Sequence, residues 1–277
     1  MQNAGMAALG LDWRYLAFDV HPEDLAAAIA GAKAMKFVGL NLTVPHKLLA
    51  LEMVDQLDES ARLWGAVNTI RFEGRTAGSD WKPLSQLAAE EIGETRARGF
   101  NTDADAIIRS LEEGLGCDFA DATVLLLGAG GAGRTAARRL AAAGVRRLFL
   151  VNRTLSKAME LVDEIRKRFS ATQVEAGYPS GPVDLVLNAT SLGLKSDDPL
   201  PFDSNQFALG KATAVYDMIY RPAETRLLQA ARAAGCRTAN GIGMLLYQGA
   251  QALEIWSGRP APILQMREAL LKNVYGH

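Results

Sequence analysis

Two stretches of this 277-residue chain carry side chains able to hold or move a proton. NLTVPHK, residues 41–47, sets Lys47 just past a predicted strand. That is the edge at which open α/β sheets place their ligands. GFNTDADAI, residues 99–107, sets Asp103 at the start of a predicted helix, behind Asn101 and Thr102. Either of those can cap the helix, and its dipole favours an ionised carboxylate there. GAVNT, residues 65–69, adds the amide of Asn68 at another strand. Taken singly, each also has a plain structural reading: a lysine on a surface loop, a good N-cap, a polar strand end.

A third stretch suits phosphate. GAGGAG, residues 128–133, has the spacing G-x-G-x-x-G between an apolar strand and an Ala-rich helix that begins near Gly131. Gly128 permits the tight turn, Gly130 lets a pyrophosphate approach the backbone, and Gly133 lets helix and strand pack closely. The helix N-terminus supplies free N–H groups and positive potential. An NAD site carries Asp or Glu about 20 residues further on to hold the ribose hydroxyls. Here the second strand ends Val151-Asn152-Arg153-Thr154, with Lys157 one turn beyond. An arginine there pairs with a 2′-phosphate that a carboxylate would repel, so the pattern points to NADP.

Short Val/Leu/Ile strands alternate with Ala-rich helical patterns, which argues an α/β fold. Pro22 and the acids after it open a helix. A strand is expected over Phe37–Thr43, a helix from about Pro45 to Gln56, and a strand over Val67–Phe72. Residues 74–99 are charged and Gly-studded, and read as an insertion with one helical stretch. From Asp121 four strands (123–128, 147–152, 183–188, 214–220) with intervening helices describe a doubly wound nucleotide-binding unit, and two helices close the chain. The expected division is a substrate domain of residues 1–104 and 242–277 around an NADP-binding Rossmann domain of 105–241.

Composition narrows the rest. A net charge of −1 with interspersed signs gives no broad basic field for nucleic acid. No apolar run approaches the ~20 residues of a bilayer helix, and no secretory h-region opens the chain, so a soluble cytoplasmic protein with no membrane partner is expected. Cys117 and Cys236 stand far apart without a CxxC, and the three histidines are His21, His46 and His277. That leaves little for a disulfide framework or a metal centre, so no metal is expected. The chemistry then falls to carboxylates, lysine and an organic cofactor. Monomer and homodimer stay equally open.

NLTVPHK, GAVNT, GFNTD, GAGGAGR, NRTLSK, NATSLG, DMIYRPAET and GIGMLLYQG occur in the order and spacing of shikimate dehydrogenases, and the resemblance runs from about Gly10 to Trp256. It implies NADPH-dependent, reversible reduction of 3-dehydroshikimate to shikimate, a step toward chorismate and the aromatic amino acids. By the same resemblance Lys47 and Asp103 are the catalytic pair, and Thr43, Asn68, Asp103, Tyr220 and Gln248 bind the substrate. Gly128, Ala129, Gly130, Gly131 and Ala132, with Asn152, Arg153, Thr154 and Lys157, form the cofactor loops. Asn188, Thr190, Ser191, Met218 and Gly241 lie near the nicotinamide and its ribose. His46 is read as structural.

There are departures. Leu42 and Asp105 are mild variants, and the 74–99 stretch stands where the family has a short turn, so a lid is one reading of it. In the family a strand and a Ser-x-Ser motif for the substrate carboxylate precede the segment resembling MQNAGMAALGLDWRY, with which this chain begins. The expectation is a chain that binds NADPH but binds shikimate poorly, with a substrate domain that is unstable or prone to association. Other readings are a quinate/shikimate dehydrogenase, whose NAD preference Arg153-Thr154 argues against, and a silent cofactor- or shikimate-binding module. Methylenetetrahydrofolate dehydrogenases share the architecture, but GFNTD and GIGMLLYQG do not suit them.

Overall fold

A computed structural model describes residues 1–76, 78–116 and 118–276. Cys117 and His277, weighed above, lie outside the described residues. The chain forms two compact α/β units, Met1–Asp103 with Gln248–His277, and Ala104–Tyr247.

The first unit opens with α1 (Gln2–Ala8) and a 3-10 turn, Pro22–Asp24, that leads into α2 (Leu25–Ala34). There follow β1 (Gly39–Asn41), α3 (His46–Leu49), β2 (Gln56–Leu57), α4 (Glu59–Trp64), β3 (Thr69–Arg75), β4 (Lys82–Pro83) and β5 (Glu94–Phe100). The strands form one mixed sheet in the order β1-β3-β5-β2, with β4 also on β3. Its spine is the antiparallel β3/β5 pair, in register from Thr69 opposite Phe100 to Arg75 opposite Glu94. Side chains alternate across it. Ile70, Phe72 and Ala97 join Leu25 and Ile29 of α2 in an apolar core.

The other face of β3/β5 is charged. Glu73 is fully buried there, bonded by Arg71 and, at 2.6 Å, by Arg96. Arg98 pairs with Asp58 at 2.7 Å. Burial pushes the Asp58 carboxyl up, but donors on Ser60 and the Arg98 guanidinium outweigh it and hold the group below its ordinary range.

This arrangement corrects three expectations. The described residues of 74–99 form 3-10 turns in place of one longer helical stretch, and both ends are legs of the β3/β5 hairpin, joined through β4 and the 3-10 turns Leu84–Gln86 and Ala89–Glu91. The two arginines that help make ETRARGF look like a loop are partners for a buried glutamate. The helix expected to reach Gln56 ends at Leu49 and continues only as a 3-10 turn, Ala50–Glu52. Asp55 and Gln56 are drawn into the sheet instead, Asp55 exchanging backbone and side-chain bonds with Ala97. The expected strand 37–43 is regular only over β1, although Val38 and Leu42 still bond to Phe72 and Asn68.

The second unit contains α5 (Asp103–Leu115, with Asp103 at the junction), β6 (Thr123–Leu127), α6 (Gly131–Ala142), β7 (Arg147–Val151), α7 (Leu155–Arg168), β8 (Gln173–Ala176), β9 (Val183–Asn188), β10 (Ala212–Asp217), α8 (Arg226–Ala233) and β11 (Arg237–Asn240). All six strands are parallel, in the order β11-β10-β9-β6-β7-β8. Counted from β6 this is 3-2-1-4-5-6, the dinucleotide-binding order, with the switch point between β6 and β9. Every residue of β6 is buried, as a central parallel strand covered on both faces must be. The expected four strands are present, and β8 and β11 add two short edge strands. Helix α9 (Ile242–Ser257) returns the chain to the first unit, and α10 (Ile263–Tyr275) ends it. No helix among the described residues is long and apolar enough to cross a membrane.

Candidate active site

In the first unit, β1 ends at Asn41 and the chain turns through Thr43 into α3, which carries Lys47. Strand β5 ends at Phe100, and Asn101-Thr102-Asp103 follow at the foot of α5. Asn101 Oδ1 accepts from the Asp103 N–H at 3.1 Å, so Asn101 supplies the cap. These two chain ends meet: Lys47 Nζ donates to Asp103 Oδ2 at 2.7 Å.

Asn68, just ahead of β3, holds the other carboxylate oxygen. Its Nδ2 donates to Asp103 Oδ1 and to Thr102 Oγ1, both at 2.9 Å, and its Oδ1 accepts from the Thr102 N–H at 2.8 Å. Asn68 is 1% exposed and Asp103 8%. The carboxylate is thus fixed from two sides. An ammonium has three N–H donors, of which Asp103 takes one. The Lys47 side chain is 28% exposed, so the remaining donors are reachable. Thr43 is exposed. Gln248 sits half-buried on α9. Tyr220 belongs to the second unit and is more than one-third exposed.

In the second unit, β6 leads into the Gly-rich turn. Gly128 has φ +104°, and a Cβ on it would lie 3.0 Å from the Ala189 carbonyl oxygen; a Cβ on Gly133 would lie 2.0 Å from the Gly128 carbonyl oxygen. Only glycine fits at either place. Ala129 is buried, while Gly130, Gly131 and Ala132 are exposed at the start of α6, which has no side-chain cap and no acid in its first turn. That leaves N–H groups and positive potential for an anion. Asn152 shapes the turn, accepting from the Ala129 N–H at 3.0 Å and donating to the Thr154 carbonyl at 2.8 Å. Arg153, Thr154 and Lys157 are exposed beside it. The turn fits a pyrophosphate, and a cation without a nearby acid fits a 2′-phosphate.

Asn188 at the end of β9 donates to Asp217 Oδ1 at 2.9 Å and accepts from Thr190 N–H and Oγ1 at 3.0 and 2.8 Å. Ser191 follows, exposed. A Cβ on Gly241 would lie 2.0 Å from the Met218 carbonyl oxygen, so these two backbones are in contact.

Family comparison agrees along the chain. Residues 1–70 match the shikimate dehydrogenase substrate binding domain, residues 110–191 the shikimate / quinate 5-dehydrogenase family, and residues 241–271 the shikimate 5′-dehydrogenase C-terminal domain. The NADP(+) shikimate dehydrogenase of Geobacter metallireducens is 40% identical, over 98% of this chain and 90% of that protein. The chain belongs to the shikimate dehydrogenase family. A solved shikimate dehydrogenase in complex with NADP+ superposes with TM-score 0.81 at 34% identity, over 98% of this chain and 89% of that one. The ligand-free 5-ketofructose reductase of a Gluconobacter strain superposes with TM-score 0.79 at 35% identity, over 99% and 92%.

The shikimate dehydrogenase frame also contains residues that sequence reasoning passed over. Asp217 is fully buried, accepting from Asn188, the Ile219 N–H at 3.0 Å and Thr225 Oγ1 at 2.7 Å. Burial pushes its carboxyl up, and these three donors oppose that shift. It ties together the turns that carry Thr190 and Met218. Thr69 and Thr102 are buried around Asn68. An aspartate ending an apolar strand was the available signal for Asp217. Nothing in a threonine's sequence position announces that its hydroxyl faces a buried amide.

Proposed function

We propose that this chain reduces 3-dehydroshikimate to shikimate with NADPH, reversibly, with the unit of Lys47 and Asp103 as the substrate domain and the unit of Gly128–Gly133 as the NADP domain. The observation that carries the reading is the 2.7 Å Lys47–Asp103 pair, locked by Asn68 within a buried polar network. Bound NADPH supplies a hydride to the ketone carbon. The ketone oxygen then gains negative charge and requires a proton. Lys47 donates that proton from Nζ and, before it does, places a positive charge where the alkoxide develops. Asp103 aims the ammonium through Oδ2, while Asn68 holds Oδ1 and keeps the carboxylate from turning. Acid–base assistance of this kind is worth about 10²–10⁴-fold.

Thr43, Tyr220 and Gln248 are assigned to the substrate hydroxyls. Asn188, Thr190, Ser191, Met218 and Gly241 are assigned to the nicotinamide end of the cofactor. Gly128–Ala132 hold the pyrophosphate on the α6 N-terminus, and Arg153 with Thr154 and Lys157 takes the 2′-phosphate. The missing acid at the end of β7 supports NADP over NAD.

The deciding assay follows cofactor reduction by the purified chain with shikimate and with quinate, each with NADP+ and NAD+, and NADPH oxidation with 5-ketofructose. Shikimate with NADP+ is expected to lead by tenfold or more. A lead for quinate or 5-ketofructose overturns the substrate, and NADPH binding without any turnover makes the chain a binding module.

A further inference from the structure

Asn68 does not stand alone beside Asp103. Thr69 Oγ1 donates to Asn68 Oδ1 at 3.2 Å, Asn41 Nδ2 donates to Thr69 Oγ1 at 3.0 Å, and Tyr15 Oη donates to Asn41 Oδ1 at 3.0 Å. All five residues belong to the first unit. Two backbone groups and one distance settle the direction of every link. The Thr102 N–H can only donate, so the atom of Asn68 that meets it is the oxygen, and Nδ2 faces the carboxylate. The Asn68 carbonyl can only accept, so the atom of Asn41 that meets it, at 3.4 Å, is the nitrogen. Thr69 then accepts from Asn41 and gives its one hydrogen to Asn68 Oδ1 at 3.2 Å, the nearer of its two oxygen neighbours, Thr102 Oγ1 lying at 3.5 Å. The Tyr15 hydroxyl donates to Asn41.

We infer that Tyr15 is a positioning residue for the Asp103 carboxylate, acting through Asn41, Thr69 and Asn68. The inference rests on the reading of Lys47 and Asp103 as the proton-handling pair. The chain runs donor to acceptor in one direction, Tyr15 to Asn41 to Thr69 to Asn68 to Asp103, so each bond polarises the next toward the carboxylate. It fixes the orientation of the Asn68 amide and, through it, of the Asp103 carboxylate, which together aim Lys47.

Tyr15 is itself held from three sides. Its ring lies 6.2 Å from that of Trp256, its N–H donates to Asn3 Oδ1 at 2.7 Å, and its carbonyl accepts from Asn3 Nδ2 at 3.0 Å. Trp256 is anchored in turn by its indole N–H on the Ile70 carbonyl at 2.9 Å. Burial pushes the Tyr15 phenol above its ordinary range, so it stays a neutral donor wherever the enzyme works. A tyrosine needed only for packing has no use for a hydroxyl aimed at an asparagine that the next links carry to the carboxylate.

Tyr15→Phe keeps the ring against Trp256 and removes only the first donor. In the 277-residue chain kcat is expected to fall about three- to tenfold, with KM for shikimate and the Kd for NADPH changed less than twofold and the melting temperature nearly unmoved. In an Asp103→Asn background the same substitution should change kcat by less than twofold, because the anion that the chain serves is gone. Equal losses in both backgrounds, or no loss in the first, overturn the inference. Nuclear magnetic resonance gives a readout without turnover: the Asn68 side-chain amide resonances should shift in Tyr15→Phe at constant pH. If the unaltered chain turns over no shikimate while those resonances move, the functional reading fails and the relay stands. If they stay in place, the relay fails whatever the activity.

Discussion

The two units place charge by opposite means. The second offers an anion mainly backbone: a glycine turn, a helix start without cap or acid, and exposed Arg153 at its rim. The first works with side chains, Lys47 and Asp103 aimed by Asn68 and the threonines around it. Phosphate is a large, permanent charge that any set of converging N–H groups can hold. Moving a proton demands one nitrogen within hydrogen-bond reach of one oxygen. The carboxylate that steers it must not rotate. The same contrast runs through the ion pairs. Glu73 of the first unit is fully buried, whereas Glu164 of the second lies partly in water, its carboxyl held below the ordinary range mainly by the Arg138 guanidinium.

Lys47→Ala tests the side-chain half of the comparison most severely. With Asp103 left without its ammonium, kcat should fall about a hundredfold or more while KM changes less, in steady-state assays with shikimate. A near-normal kcat would mean that the pair is only structural.

Glu73→Gln comes next, because it leaves three guanidiniums, those of Arg71, Arg96 and Arg98, facing a neutral group under the β3/β5 sheet. Breaking a buried pair costs about 3–5 kcal/mol, and the partial exposure of Arg71 and Arg96 reduces that to about 2–3. Denaturant unfolding should show the loss in the first unit, with the NADPH affinity of the second unchanged. A loss under 1 kcal/mol would place this cluster with ordinary surface pairs.

Arg153→Ala sharpens the backbone half. Charge-assisted bonds are worth about 1.5–3 kcal/mol, so NADPH should bind at least tenfold more weakly while NADH, with no 2′-phosphate, is barely affected. Equal weakening of both in titrations would assign the 2′-phosphate elsewhere.

Glu164→Gln should be the mildest, about 0.5–1 kcal/mol at neutral pH, since pairs open to solvent are screened. Its sign with pH is set by the depressed carboxyl. The stabilisation is present above the unfolded-state value of about 4.3 and is lost as pH falls through the lower folded-state value. Wild type and variant should therefore converge in acid, and a gap that widens there would contradict the Arg138 pairing.

The parallel sheet was the most legible part of the fold. TVLLL, RLFLV and VDLVLN are buried runs with a glycine turn after the first, and a central parallel strand has no other composition available. QVEA and RTAN, the edge strands β8 and β11, were not legible, because one side of an edge strand meets water and needs little apolar content. ETRARGF misled for a related reason: its arginines answer a glutamate two dozen residues away that no local pattern discloses.

By itself the sequence determined whatever depends on backbone freedom or on a strand's own composition: the glycine cradle, the absence of an acid after β7, the α/β alternation and the presence of Lys47 and Asp103. Only the tertiary structure decided that Lys47 reaches Asp103 across 56 residues, that Asn68 is spent on the carboxylate, and that Tyr15 stands at the head of the chain leading to it. Local pattern reports which face of an element is apolar. A hydrogen bond between distant side chains depends on where the fold brings two chain ends together, and that is a property of the packed molecule alone.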